Sequence, residues 1–312
     1  MNKTKLLKIG VPVVFYSLLV VFLILYLRSI DFSQLKNIHI GWWPLFLATI
    51  TGLAFRFWGT YVWTTLLRSL GARDVHLSSQ LVYVYAKSWL GRYIPGTAPW
   101  ILGKIYFASK HGISKNKLAV SSLLEGALQI VVQMVLALAL LAFDPRLNVI
   151  PNETKWLFGV AIIGCLVALT PAIFNRVIAF AYKLLKRKTF AAEHYISAKS
   201  TGVGFAMYAV GAFVGSLSMF FIAQAVYGQL SYDNLFFVMG VGTLAGAVSM
   251  LAIFAPSGLG VREGIQLALL SLIMPTEFAL VVTIATRLWG IATDLMFFGL
   301  AALLRTASGR KK

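Results

Sequence analysis

A few charged residues lie inside stretches that are otherwise apolar, and their chemistry needs an explanation. Arg287 and Asp294 are seven residues apart in one apolar run, and Glu125 lies within another. A charged side chain near the centre of a bilayer is costly, so such residues pair, face a water-filled cavity or carry function. Arginine suits phosphate because its planar guanidinium binds two oxygens at once. These charges predict either salt bridges that only hold helices together, or an arginine-rich cavity for an anion with acids that position the arginines.

Two motifs rich in glycine and proline carry further charges of this kind. The first is WLGRYIPGTAPWILGK at residues 89–104, which contains Arg92, and the second is PSGLGVREG at residues 256–264, which contains Arg262. Glycines let the backbone turn sharply and expose its N–H groups. We expect the helix after Gly260 to point its positive end at a bound anion.

The composition of the 312-residue chain indicates an integral membrane protein. It is 59% apolar and 12% charged, whereas soluble domains are about 45–50% apolar and about 25% charged. A soluble cytosolic enzyme is therefore excluded, because it could not bury this much apolar surface. The single cysteine excludes an intramolecular disulfide, and the four histidines lack metal-ligand spacing. We expect no metal and no cofactor.

Six stretches are long enough to cross about 30 Å of hydrocarbon as helices, which takes about 20 apolar residues. The first follows a basic N-terminus and lacks a small-residue cleavage site, so we interpret it as a retained span. The six are residues 9–27, 41–67, 117–143, 156–181, 201–227 and 278–304.

Two other regions are interrupted by glycine and proline. Region 78–109 contains two short apolar pieces around such a breaker, which predicts a re-entrant hairpin. In region 234–275 the first piece is long enough to span, and the piece after the breaker is too short to cross alone. The alternative is that one or both regions are ordinary kinked spans.

The distribution of the basic residues predicts the topology. The net charge is +18, and Lys and Arg concentrate at both termini and in segments 68–76, 104–117 and 183–199. Cytoplasmic loops of membrane proteins collect Lys and Arg, so both termini are predicted to be cytoplasmic. Nucleic-acid binding is not expected, because the basic residues follow the sides of a membrane and not one folded face.

This topology predicts one integral membrane domain over residues 1–312, built as an inverted repeat. The pseudo-repeats cover about residues 9–143 and 156–304, and each has a broken-helix hairpin before its last span. The fold class is therefore an all-α polytopic membrane protein with six full spans and two hairpins. Inverted repeats with broken helices are typical of transporters, whose substrate sites lie where the broken helices meet.

The two motifs, with Glu125 in the span after the first, resemble the flippase-like transmembrane domain of lysylphosphatidylglycerol synthetases. The resemblance covers about residues 10–305. It implies movement of a lipid between leaflets and not aminoacyl transfer, because the soluble synthetase domain of the bifunctional relatives is missing from this sequence. Related domains also accompany polyprenyl-linked glycosyltransferases. Lys104 departs from the pattern, in which the basic residue is often arginine.

The resemblance and the charge argument together give the candidate head-group site. By motif match, the site residues are Arg92, Pro95, Gly96, Glu125, Pro256, Gly258, Gly260, Arg262 and Glu263. Lys104 joins them because it stands where the family pattern has a basic residue. The argument from membrane depth adds Arg287 and Asp294.

The expected function is translocation of an anionic or zwitterionic phospholipid, or of a polyprenyl-phosphate-linked lipid, in the cytoplasmic (inner) membrane. One rival is an intramembrane enzyme acting on a lipid-linked sugar, but no carboxylate pair or nucleophile–base spacing supports it. A second rival is a non-catalytic scaffold for a lipid-modifying synthase or a glycosyltransferase, which could dock on the basic loops. We expect no enzymatic activity, and membrane lipids as the partners.

Overall fold

The computed structural model describes residues 39–72, 74–93, 98–142, 144–146, 152–186, 191, 195–252 and 258–309. The predicted span at 9–27 and the candidate residues Pro95, Gly96 and Pro256 lie outside this part of the chain. Within it, all regular elements are helical. They are α1 (Trp42–Ser69), α2 (Ser79–Trp89), a 3₁₀ turn (Leu90–Tyr93), α3 (Ala98–Ser109), α4 (Lys115–Leu141), α5 (Asn152–Ala168), α6 (Pro171–Lys186), α7 (Ala198–Val226), a second 3₁₀ turn (Tyr232–Asn234), α8 (Leu235–Leu251), α9 (Val261–Leu270) and α10 (Thr276–Gly309).

Four predicted spans form continuous helices at nearly the predicted positions, namely α1, α4, α7 and α10. Of the described residues, five helices are long and apolar enough to cross a membrane, and the fifth is the segment Tyr232–Leu251. The chain is therefore an all-helical multi-pass membrane protein.

The stretch predicted as a span at 156–181 is divided into two helices. It consists of α5 and α6, whose axes are bent by 60° at the break between Ala168 and Pro171. Pro171 has no N–H to donate to the preceding turn, so it cannot continue α5 but is well suited to the first turn of α6. Counted as one bent span, this pair brings the number of candidate spans to six.

The two interrupted regions contain short helices, as predicted. In the first, α2 begins after Ser78, whose side chain accepts a hydrogen bond from the Leu81 N–H, and the 3₁₀ turn follows directly. Helices α2 and α3 pack against each other. In the second, α8 packs against the ten-residue α9, which is too short to cross a membrane alone.

Small residues allow close contact between α1 and α7 at the centre of the protein. A Cβ added at Gly211 would lie 2.8 Å from the Trp58 ring, and one at Gly215 would lie 3.0 Å from Phe55. The Ser218 hydroxyl also donates to the Ala48 carbonyl across this seam. Small residues favour such close helix packing in membranes, and this seam forms one wall of the cavity described next.

Candidate functional site

A cavity of about 170 Å³ lies between the helices, with residues from α1, α2, α4, α7, α8, α9 and α10 in its walls. Its charged residues are four arginines and one aspartate: Arg56, Arg92, Arg262, Arg287 and Asp294. Neutral hydrogen-bonding residues supply much of the remaining wall, namely Tyr93, Gln129, Gln133, Ser216, Ser218, Thr243, Ser249, Thr286 and Thr293. The cavity is polar and carries an excess of positive charge.

Asp294 is the acidic centre of one side of this cavity. Its Oδ1 accepts from Arg56 Nε and from Trp89 Nε1, the latter at 3.0 Å, and its Oδ2 accepts from the Tyr93 hydroxyl. The side chain of Asp294 is only 2% exposed. Three donors therefore occupy this carboxylate and hold α1, α2 and the first 3₁₀ turn against α10.

Arg56 forms three hydrogen bonds. Besides Asp294, its guanidinium donates to the Gly52 carbonyl at 2.8 Å and to the Gly290 carbonyl at 3.0 Å. Arg56 is thus a link between α1 and α10, with its charge paired to Asp294. It was absent from the predicted site; its position within an apolar stretch was the available signal.

The predicted shared face of Arg287 and Asp294 is present, since both line the cavity. Arg287 Nη1 donates to Glu263 Oε1 on α9, at 3.2 Å. The two side chains are 19% and 25% exposed. Glu263 therefore positions Arg287 at the edge of the cavity.

The start of α9 has the backbone turn that the sequence predicted. Gly258 and Gly260 have φ values of +66° and +86°, which confirms the sharp turn that favours glycine. The Gly260 N–H donates to Glu263 Oε2 at 2.7 Å, so a carboxylate of the same helix occupies this donor. Neither glycine lines the cavity. That the positive end of α9 points at a bound anion stays a prediction, and the positive groups in the cavity wall are arginine side chains.

Arg92 and Arg262 differ from the other two arginines because neither forms an ion pair in the described part of the chain. The Arg262 Nε is buried without a hydrogen-bond partner. Arg92 lies over the Trp89 ring, 4.7 Å from its centroid. Arg92 and Arg287 are both close enough to Arg262 to interact with it electrostatically. Like charges gathered this way in a low-dielectric site favour binding of an anion between them.

Lys104 and Glu125 form a separate ionic site that does not line the cavity. They pair with each other while fully buried. The Lys104 Nζ lies over the rings of Trp63, Tyr85 and Trp100, at 5.5, 4.4 and 4.1 Å from their centroids. The Tyr85 hydroxyl donates to Glu125 at 2.7 Å. The structure thus brings these two predicted site residues together, but apart from the arginines.

One turn of α2 connects the two ionic sites. Tyr85, which bonds Glu125, and Trp89, which bonds Asp294, stack with their ring centroids 5.8 Å apart and their planes 18° apart. The site role of Trp89 and Tyr93 was not predicted, although both lie in the first motif and flank Arg92. No cluster of three or more His, Cys, Asp or Glu residues able to hold a metal occurs among the described residues. The arrangement is suited to binding an anion.

The family model for the lysylphosphatidylglycerol synthase transmembrane region matches residues 9–296. No curated protein and no solved structure matches the chain significantly. The family match includes all of the cavity-lining residues, and it agrees with the resemblance carried by the two motifs. The chain therefore belongs to the family of lysylphosphatidylglycerol synthase transmembrane regions.

Proposed function

We propose that this protein moves an anionic or zwitterionic phospholipid, or a polyprenyl-phosphate-linked lipid, between the leaflets of the cytoplasmic membrane without converting it chemically. The observation that carries the proposal is the cavity with four arginines in a multi-pass protein of this family. Arginine forks bind phosphate oxygens, and phosphate is the group that these lipids share.

The size of the cavity supports a head-group site. Pockets for whole small molecules are about 300–1,000 Å³, whereas this cavity has about 170 Å³. It can hold a head group but not acyl chains, which would stay in the lipid. Arg92, Arg262 and Arg287 would bind the phosphate in turn. Glu263 would position Arg287, and Asp294 would position Arg56.

An inverted repeat of two halves, each with a broken-helix hairpin and with both termini in the cytoplasm, is part of the proposal. The helix contacts support it, because they come in matched pairs when the halves are exchanged. Exchanging the halves relates α1 to α7, α2 to α8, α3 to α9 and α4 to α10. The contact of α4 with α8 then corresponds to that of α10 with α2, and the contact of α4 with α7 corresponds to that of α10 with α1. In the same way, the contact of α3 with α4 corresponds to that of α9 with α10. The contact between α1 and α7 maps onto itself. In transporters with such repeats, one half rocks against the other around the binding site.

A leaflet assay in proteoliposomes with fluorescent phospholipids tests the proposal. We expect protein-dependent transport that falls by about tenfold or more in Arg262→Gln, since hydrogen bonds to charged groups contribute roughly 1.5–3 kcal/mol. Arg176→Gln is the matched control, because Arg176 is exposed on α6 and does not line the cavity. Equal rates in Arg262→Gln and the wild type would overturn the site assignment.

The same assay separates transport from the scaffold role. A scaffold for a synthase or glycosyltransferase would move no lipid when purified alone, yet would still bind that enzyme after Arg262→Gln. Absence of lipid movement in vesicles together with retained enzyme binding would therefore favour the scaffold over the transporter.

A further inference from the structure

The charges of the cavity fall into two classes that specify its ligand more narrowly. Arg56 is neutralised by Asp294, and Arg287 by Glu263. Arg92 and Arg262 remain without an acidic partner among the described residues. The connecting segments 94–97 and 253–257 contain no Asp or Glu in their sequence. The four arginines and these two acids therefore leave a net charge of +2 at the site, with Asp294 and Glu263 also close enough to Arg262 to attract it.

We infer that the preferred ligand is a lipid whose head group ends in a phosphate monoester, as in a polyprenyl phosphate or a phosphatidic acid. This inference rests on the proposed function and narrows its substrate. A phosphate monoester carries about −1.5 to −2 charges at pH 7 and three terminal oxygens, so it can balance both Arg92 and Arg262. A phosphodiester carries one negative charge and leaves one guanidinium unbalanced in a low-dielectric site.

The acids at this site argue against a head group with an ammonium group. Asp294 already accepts hydrogen bonds from Arg56, Trp89 and Tyr93. Glu263 accepts from Arg287 and from the Gly260 N–H. Each carboxylate is thus already paired with an arginine, and an ammonium would add a positive charge to a cavity that holds Arg92 and Arg262 without ion-pair partners among the described residues. A lipid aminoacylated with lysine is therefore disfavoured in this chain.

Further donors can complete the coordination of the third oxygen. The Arg262 Nε is buried and has no hydrogen-bond partner, and Gln129 and Gln133 of α4 line the same cavity. A buried donor without a partner is costly, and an acceptor oxygen of the ligand would remove that cost.

Transport of three fluorescent lipids with the same acyl chains tests this inference in proteoliposomes, after subtraction of the rate in protein-free vesicles. They are a phosphatidic acid, a phosphatidylglycerol and a lysyl-phosphatidylglycerol. We expect the phosphatidic acid to move about tenfold faster than the phosphatidylglycerol, and the lysyl lipid to stay at background. Arg92→Gln and Arg262→Gln should each remove most of this preference, whereas Arg176→Gln should leave it unchanged.

The outcomes distinguish the substrate from the function. Transport of phosphatidylglycerol or of the lysyl lipid as fast as phosphatidic acid overturns the monoester inference and leaves lipid transport standing. If none of the three lipids moves, the proposed transport of these phospholipids is refuted. The preference for a phosphate monoester is then tested by ligand binding alone.

Binding is measured as the shift in thermal unfolding of the detergent-solubilised protein with dihexanoyl phosphatidic acid, dihexanoyl phosphatidylglycerol or inorganic phosphate. The inference expects the largest stabilisation with the phosphatidic acid, and its loss in Arg262→Gln. An equal shift with inorganic phosphate would assign a soluble phosphate as the ligand and overturn the lipid monoester. Equal shifts with the two lipids would overturn it as well.

Discussion

Two ion pairs occupy matching places in the fold with their charges reversed. Lys104 on α3 pairs with Glu125 on α4, and Glu263 on α9 pairs with Arg287 on α10. In each case a short helix of an interrupted region is joined to the long helix that follows it. The first pair is completely buried among aromatic rings, whereas the side chains of the second are about one-fifth to one-quarter exposed.

In the proposed transporter, one framework position would serve structure in one half and ligand binding in the other. A buried ion pair must be complete, because removing one partner leaves an uncompensated charge in a low-dielectric site. A partly exposed pair can lose a partner at a lower cost. The following experiments test this contrast, beginning with the largest expected effect.

Removing the cation from each pair should separate them clearly. We expect Lys104→Met to lower the free energy of unfolding by about 3–5 kcal/mol, since Glu125 would remain buried and unpaired. Arg287→Met should lower it by about 1 kcal/mol or less, because Glu263 keeps the Gly260 N–H and contact with solvent. Denaturant unfolding in detergent micelles measures both. Equal losses would contradict the assignment of distinct roles.

A double substitution in the buried pair tests the cause of the first effect. Lys104→Met with Glu125→Gln removes both charges and keeps an oxygen that can accept from Tyr85. We expect the double variant to be more stable than Lys104→Met alone, because the uncompensated charge is gone. A double variant as unstable as the single one would mean that packing, not charge, explains the loss.

Asp294→Asn examines the acid at the cavity. The amide keeps the shape and one accepting oxygen, but its NH2 group cannot accept from Tyr93, and the bond from Arg56 loses its charged acceptor. We therefore expect a loss of about 2 kcal/mol in unfolding free energy. In an Arg56→Gln background the same change should have a smaller effect, because the charged partner is already absent. Full additivity of the two changes would contradict a shared cluster.

Trp89→Phe removes one hydrogen bond to Asp294 and keeps a ring that can stack on Tyr85. The expected loss is about 1 kcal/mol of unfolding free energy. Trp156→Phe serves as the control, since Trp156 is exposed on α5, and it should change stability little. A larger effect in the control would show that the assay reports the surface of the protein in the micelle.

Gly246→Ala should have the smallest effect on stability but a measurable effect on transport. A Cβ at this position would meet the side-chain amide of Gln133, and both residues line the cavity. The amide end is flexible, so the cost should stay below about 1 kcal/mol, while transport slows roughly threefold. At Gly264 a Cβ meets nothing within 4 Å, and Gly264→Ala should transport normally.

Sequence reasoning predicted the elements better than the contacts. Length and hydropathy were sufficient for α1, α4, α7 and α10, and glycine and proline marked both interrupted regions. The bend at Pro171 was missed because the span was assigned from length and hydropathy, and neither quantity reports the direction of a helix axis. The spacing of Arg287 and Asp294 correctly placed both on one cavity wall.

Side-chain partners across the fold were beyond the sequence alone. Nothing local indicates that Lys104 and Glu125, 21 residues apart, close on each other inside an aromatic cage rather than face the arginines. Likewise, Arg56 and Asp294 are 238 residues apart and meet only because α1 packs on α10. Such contacts depend on tertiary packing, which a single sequence does not display.

The stacked rings of Tyr85 and Trp89 carry a thermodynamic consequence. Because one turn of α2 holds a donor to Glu125 and a donor to Asp294, a displacement of this turn changes the environment of both carboxylates. A ligand that favours one position of the turn would then alter the stability of the buried pair of Lys104 and Glu125, and a change in that pair would alter ligand affinity by the same factor. Reciprocity of this kind would link the buried ion pair to occupancy of the cavity without direct contact between the two sites.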